Sequence, residues 1–218
     1  MNIIKNKYFD LSDYTVLITG STGHLGKQIS LGLAGLGAKV ILNGRNLTKL
    51  KKLQKILKNK NFKSEISCFD INKEFQVKKF FKLNNIDILI NNAAIAIPNV
   101  KNKVVKKNFE KIYNTNLISA AILTEACCRK MIKLKNKKSK SIINISSIYG
   151  LLSADYKVYQ DGQAKSSFAY ASSKAALNQL TRNMAIKYAK NNIRINTLTP
   201  GIFPNYKYQK KYPSFLKN

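Results

Sequence analysis

The sequence predicts an α/β fold: a doubly wound, Rossmann-type parallel sheet with helices on both faces. Three observations carry that reading. Six short runs rich in β-branched and apolar residues alternate with five longer segments of helical periodicity. Strands separated by helices of this length form βαβ units with parallel neighbours. The first strand run ends in a glycine-rich turn that opens directly into a helix. Finally, 218 residues with 44 % hydrophobic content suffice for one domain spanning 1–218 with a full core.

The expected strands are Thr15–Thr19, Lys39–Asn43, Ser64–Phe69, Ile86–Asn91, Ser141–Ser146 and Ile193–Thr199. Between them, apolar residues recur at helical spacing near His24–Leu36, Leu47–Lys58, Lys73–Lys82, Asn108–Lys133 and Phe168–Lys190. Polar punctuation marks the loops, notably Asn43-Gly44 and the stretch from Asp155 to Ser167. Sheets of this kind bind ligands at the carboxyl ends of their strands, so the loops there hold the candidate site.

The first such loop is Thr19-Gly20-Ser21-Thr22-Gly23-His24-Leu25-Gly26, and six of the ten glycines fall between positions 20 and 37. Glycine allows a sharp turn and lets phosphate oxygens approach main-chain N–H groups, while the following helix start favours negative charge. A nucleoside-triphosphate P-loop does not fit: five residues separate Gly20 from Gly26, and Gln28 stands where a magnesium-binding hydroxyl belongs. A dinucleotide is the better ligand. The second strand ends Asn43-Gly44-Arg45 without an acid. An acid there would bind the ribose hydroxyls of NAD(H), whereas Arg pairs with the extra phosphate of NADP(H). The expectation is NADP(H) over NAD(H).

Tyr170 precedes Lys174 by four residues, which stacks phenol and ammonium on one helix face, downstream of Ser146-Ser147. A neighbouring cation favours the phenolate, so the pair is a candidate proton donor or acceptor for a carbonyl or alcohol. The same spacing recurs at Tyr206/Lys210, but without a serine or glycine loop in sequence to serve it.

Composition sets limits. No stretch reaches the roughly 18 apolar residues of a membrane span, and the N-terminus lacks a signal-peptide core, so the expected location is cytoplasmic. Cys68, Cys127 and Cys128 show no metal-site spacing; they read as reduced core thiols, and no metal is expected. The formal charge is +29, and no acid follows Gly162. Nucleic acid is the obvious partner for such a charge. Only four of the 39 basic residues are Arg, however, and the lysines are spread through nearly every segment. A solvated basic surface is therefore expected, with neither nucleic acid nor membrane as partner, although an acidic partner would be attracted.

Together these pieces resemble the short-chain dehydrogenase/reductase family, from about Asp10 to Ile202. Thr19–Gly26 matches its glycine loop, and Asp70-Ile71 the end of the third strand, where the family contacts adenine. Asn91-Asn92-Ala93-Ala94 matches the segment closing the fourth strand. Asn116 matches the helix Asn of the proton relay, Ser147 the catalytic Ser, and Tyr170 with Lys174 the catalytic pair. Ile193-Arg194-Ile195-Asn196 leads to Pro200-Gly201-Ile202, which in the family adjoins the nicotinamide. The resemblance implies hydride transfer between nicotinamide and a carbonyl or alcohol carbon. Tyr170 would be general acid or base. Lys174 would lower its proton affinity and hold the nicotinamide ribose. Ser147 would bind the substrate oxygen, and Asn116 would hold a water linking Lys174 to solvent.

The chain departs from that pattern in places. His24 replaces a glycine of the loop and reads as a packing residue near phosphate; Ala94 replaces another. Ser147 and Tyr170 lie 23 positions apart, wider than is common in the family, and the extra Asp155–Ser167 loop, with Tyr156, Tyr159 and Gln160, is expected beside the substrate opening. A similar insertion occurs in relatives linked to bacterial surface-sugar and flagellin-glycan synthesis. Only 17 residues follow Gly201, where the family continues through a further helix and strand. The expectation is a truncated chain with an exposed sixth strand, a compromised homo-oligomer contact and no Thr after Pro-Gly. Three functions follow: an oxidoreductase acting on a sugar-type or carrier-bound acyl ketone substrate, a cofactor-binding homologue without turnover, or a basic nucleic-acid-binding protein.

Overall fold

The computed structural model describes residues 9–98, 104–134, 138–155, 157, 159, 165–201 and 203. Six strands form one sheet: β1 (Thr15–Ile18), β2 (Lys39–Gly44), β3 (Ser64–Cys68), β4 (Ile88–Asn91), β5 (Lys140–Ile145) and β6 (Ile193–Leu198). Their order is β3-β2-β1-β4-β5-β6, and every pairing is parallel. The direction of winding reverses between β1 and β4, which opens a crevice at their carboxyl ends. Among the described residues β6 is an outer strand, paired only with β5.

Alternation along the strands explains the layers. In β1, Val16 and Ile18 face one side and Leu17 the other, and all three are fully buried. Val16, Ile18, Val40 and Leu42 pack against α1 (His24–Gly35) and α2 (Leu47–Lys58) through Ala34, Leu50, Leu53 and Leu57. Leu17, Ile41, Leu89 and Ile142 pack on the opposite face against α3 (Glu74–Leu83), α5 (Ser119–Lys133) and α6 (Phe168–Ala189), with α4 (Lys106–Tyr113) leading into α5. Helices on both faces leave little room for polar strand residues, hence the near-continuous apolar runs.

The expected elements are all found, with two informative differences. The long helix expected over Asn108–Lys133 starts at Lys106 and is interrupted by a π-helical turn, Asn114–Ile118, which separates α4 from α5. Such turns occur mostly at functional sites, and this one contains Asn116. The second difference concerns the thiols: Cys127 and Cys128 are buried in one core cluster, but Cys68 is exposed at the end of β3, an outer strand among the described residues. No described helix is long and apolar enough to cross a membrane.

Candidate active site

A cleft of ≈ 410 Å³ lies across the carboxyl ends of β1, β2, β3 and β4. Its floor is the glycine loop. Gly20 has φ +61°, and a Cβ there would come within 2.9 Å of the Ala93 backbone. A Cβ on Gly26 would lie 2.3 Å from the Gly20 carbonyl oxygen and 2.7 Å from Asn92 Nδ2. Both glycines are thus required for α1 to start this close to the sheet. Gly23 caps α1 without a side-chain acceptor, and the first turn of a helix presents N–H groups that its own ladder does not use. That end suits an anion.

Thr22, Gly23, His24, Leu25 and Gly26 line the cleft as expected. Ser21 does not. It is fully buried, and its N–H and hydroxyl both donate to the Asn43 carbonyl, at 3.0 and 3.1 Å, so it fixes the turn instead. The His24 ring packs against Phe203 with centroids 4.9 Å apart, in keeping with a packing role.

Arg45 lines the rim at the end of β2 and is joined by Asn46 and Lys49, which sequence reasoning did not single out. Asn46 caps α2, accepting from the Lys49 N–H at 2.9 Å. The usable signal was the spacing: Arg45 and Lys49 are four apart at a helix start. Asp70 and Ile71 line the far wall with Phe69 and Asn72, while Asn92, Ala93 and Ala94 line the near one. Asn92 Nδ2 donates to the carbonyls of Thr19 and Gly20 at 2.9 and 3.1 Å, and Thr19 Oγ1 accepts from the Asn92 and Ala93 N–H groups. These bonds lock the crevice between β1 and β4.

The catalytic candidates gather where β5 meets α6. Ser167 caps α6 by accepting from the Tyr170 N–H at 3.2 Å, which sets Tyr170 in the first turn. One turn on, Lys174 Nζ donates to the Ile145 carbonyl at 2.7 Å, and Ser146 Oγ donates to the Lys174 carbonyl at 3.1 Å. A short 3₁₀ turn, Ile148–Gly150, follows Ser147, and a Cβ on Gly150 would lie 2.8 Å from the Lys174 backbone. Those contacts bring the Ser147 hydroxyl close enough to the Tyr170 phenol to lower its proton affinity. Lys174 Nζ sits 5.8 Å from the Tyr170 ring centroid.

Burial governs the electrostatics. It pushes the Tyr170 phenol above its ordinary value; the Ser147 hydroxyl opposes this and nearby Tyr149 adds to it. It also lowers the Lys174 ammonium from 10.5 to about 8. The lowering expected from Lys174 does not set the net direction for Tyr170: burial of the phenol dominates, and the ammonium is itself desolvated and donates to the Ile145 carbonyl.

Asn116 is buried in the π turn. Its Oδ1 accepts from the Ile95 N–H at 2.8 Å, and Nδ2 donates to the Ile95 carbonyl at 3.0 Å and to Ser173 Oγ at 3.2 Å. Ser173 in turn donates to the Tyr170 carbonyl at 2.7 Å. The side chain thus ties the segment after β4 to α6. Both amide hydrogens are used, so the amide has none left to donate to a relay water. Pro200 accepts from the Ile148 N–H at 3.0 Å, which brings Pro200-Gly201 beside the 3₁₀ turn. Ile202, Tyr156, Gln160, Tyr206 and Lys210 lie outside the described residues.

The short chain dehydrogenase family matches residues 14–212. The chain is 36 % identical over 192 residues to the 3-oxoacyl-[acyl-carrier-protein] reductase FabG of Rickettsia prowazekii, covering 88 % of this chain and 73 % of that protein. It is 30 % identical over 200 residues to the gluconate 5-dehydrogenase of Gluconobacter oxydans, covering 89 % and 73 %. Among solved structures, the Burkholderia cenocepacia gluconate 5-dehydrogenase in complex with NADP and tartrate superimposes with a TM-score of 0.78 at 27 % identity, covering 93 % of this chain and 76 % of that one. A short-chain type dehydrogenase/reductase from Mycobacterium marinum gives 0.79 at 27 %, covering 92 % and 78 %. With its crevice, glycine loop and Ser147–Tyr170 contact in place, the chain belongs to the short-chain dehydrogenase family, whose members here are oxidoreductases acting on CH–OH or C=O groups of small substrates.

Proposed function

We propose that this chain is an NADP(H)-dependent oxidoreductase acting on a carbonyl or alcohol of a sugar-type or carrier-bound acyl ketone substrate. The observation that carries the reading is the convergence of Ser147, Tyr170 and buried Lys174 at the carboxyl end of β5, where Lys174 Nζ donates to the Ile145 carbonyl and Ser146 Oγ to the Lys174 carbonyl. The cradle fits the cofactor: Gly20 and Gly26 let α1 start close against the sheet at the floor of the cleft, and Gly23 caps that helix without a side-chain acceptor, which suits a phosphate. Arg45 and Lys49 offer two cations at the rim without an acid at the end of β2, which favours the phosphorylated ribose. The Burkholderia relative was crystallised with NADP. When bound, the nicotinamide supplies the hydride.

The chain's own residues handle position and proton. In the reducing direction Ser147 Oγ donates a hydrogen bond to the carbonyl oxygen, and Tyr170 transfers its phenolic proton to that oxygen as the alcohol forms. The raised value of Tyr170 keeps that proton in place at neutral pH. Lys174, still mostly charged at pH 7, stabilises the phenolate left behind. Asn116, Ser173 and the Ile145 carbonyl hold these groups in register.

The test is Tyr170→Phe with a panel of ketones and oxidised sugars. NADPH oxidation is expected to fall by about 10²–10⁴, the usual weight of a positioned general acid, while NADPH affinity stays within a few-fold. Undiminished turnover would refute the role of Tyr170. Tighter binding of NADH than of NADPH would overturn the cofactor assignment.

A further inference from the structure

Tyr149 lies two residues beyond Ser147, and its phenol is 2.9 Å from the phenol of Tyr159. Both are half-buried. Tyr149 is firmly placed. Its N–H donates to Ser147 Oγ at 3.2 Å, and the next residue, Gly150, donates to the Ser147 carbonyl at 2.8 Å and accepts from Asn178 Nδ2 at 3.1 Å. Gly150 also packs against the Lys174 backbone too closely to admit a side chain. Tyr149 is therefore fastened to the same helix that carries Tyr170. Tyr159 comes from the added length between Ser147 and Tyr170. The extra loop thus delivers a hydroxyl to Tyr149, two residues beyond Ser147.

A phenol has one proton to donate and two lone pairs to accept with. If Tyr159 donates across the pair, Tyr149 keeps its own proton for a group arriving beside Tyr170. If Tyr149 donates, its lone pairs still accept from such a group. Methylenes packed on this edge would strand that capacity, a penalty that a substrate hydroxyl avoids. Sites built to bond a hydroxyl reject analogues lacking it far more strongly than apolar pockets reject an added one.

We infer that the Tyr149–Tyr159 hydroxyl pair positions the substrate and selects a carbonyl compound bearing hydroxyls on neighbouring carbons over an acyl ketone flanked by methylenes. This rests on the oxidoreductase reading above and chooses between its two substrate classes. Both tyrosines act as positioning residues; proton transfer stays with Tyr170.

The experiment compares the full-length chain with Tyr149→Phe and Tyr159→Phe, each checked for an unchanged melting temperature. Two probes are reduced with NADPH: 5-dehydro-D-gluconate, and the acetoacetyl thioester of N-acetylcysteamine. D-gluconate binding to the NADP⁺-saturated proteins is measured by calorimetry, which needs no turnover. The wild type is expected to favour the hydroxylated probe. Each variant should raise its KM and the gluconate Kd roughly tenfold, the effect of one lost hydrogen bond, with kcat and the thioester KM moving less than about twofold. The double variant should be little worse than either single one, because the hydroxyls act as a unit. Wild-type preference for the thioester, equal losses on both probes, or gluconate binding that is absent or indifferent to the variants overturns the inference. Gluconate binding that weakens in the variants without any NADPH oxidation supports it while refuting the oxidoreductase reading.

Discussion

Tyr170 and Lys174 share one helix face, yet burial pushes their proton affinities in opposite directions, the phenol up and the ammonium down. Both shifts keep charge out of a desolvated site. For Lys174 the consequence for stability has a definite sign. Its folded value is about 8 against an ordinary 10.5, so between those pH values the unfolded chain holds a proton that the native one has released. Native stability therefore gains with rising pH across that window, and the full penalty of the buried charge is present below it. Lys174→Met, which keeps the stem but removes the charge, lacks this gain. Its stability relative to wild type should decline between pH 7 and pH 10 by on the order of 3 kcal/mol, read from urea midpoints. A difference that does not change with pH would contradict the buried-ammonium account. The spacing of the pair was legible in sequence, because i,i+4 geometry is local. The direction of the Tyr170 shift was not, because desolvation depends on what the rest of the chain packs over the phenol.

At the scale of elements, α1 can approach the sheet only because of its glycines, and those glycines are not equivalent. Gly26→Ala drives a methyl into the Gly20 carbonyl and the Asn92 amide, so it should cost about 1–3 kcal/mol and weaken NADPH binding. Gly32→Ala, in the same helix, meets nothing within 4 Å and should stabilise by about 0.5–1 kcal/mol. Thermal melting with and without NADPH checks both; equal effects would remove the cradle argument. Strand and helix positions were readable from periodicity alone. The π turn at Asn114–Ile118 was not, since it depends on the bonds Asn116 makes to Ile95 and Ser173. Ser21 was misplaced for a similar reason: its motif position is local, but its partner Asn43 is on another strand.

For the whole molecule, the excess of 39 basic over 10 acidic residues is the dominant physical fact. The ion pairs Lys39–Glu65, Lys78–Glu74, Lys106–Glu110 and Arg129–Glu125 are largely exposed, and such pairs contribute little. Self-repulsion should therefore destabilise the native state at low ionic strength. Raising NaCl from about 10 to 200 mM, which shortens the screening length from about 30 Å to below 10 Å, should raise the melting temperature by a few degrees. A falling melting temperature would show that attractive pairs outweigh the repulsion. Binding of duplex DNA that falls steeply with salt and survives saturation with NADPH would instead give the charge a partner.

Periodicity and motif order, which depend on neighbours along the chain, determined the α/β class and the glycine loop and put Ser147, Tyr170 and Lys174 forward as candidates. Tertiary packing decided what those residues experience and which others join them. Lys49 reaches the rim of the cleft, Asn116 becomes a clamp, and Tyr159 arrives at Tyr149 from the added loop. Hydrogen bonds and desolvation act between groups close in space, and such closeness is set by the folded chain and not by sequence distance.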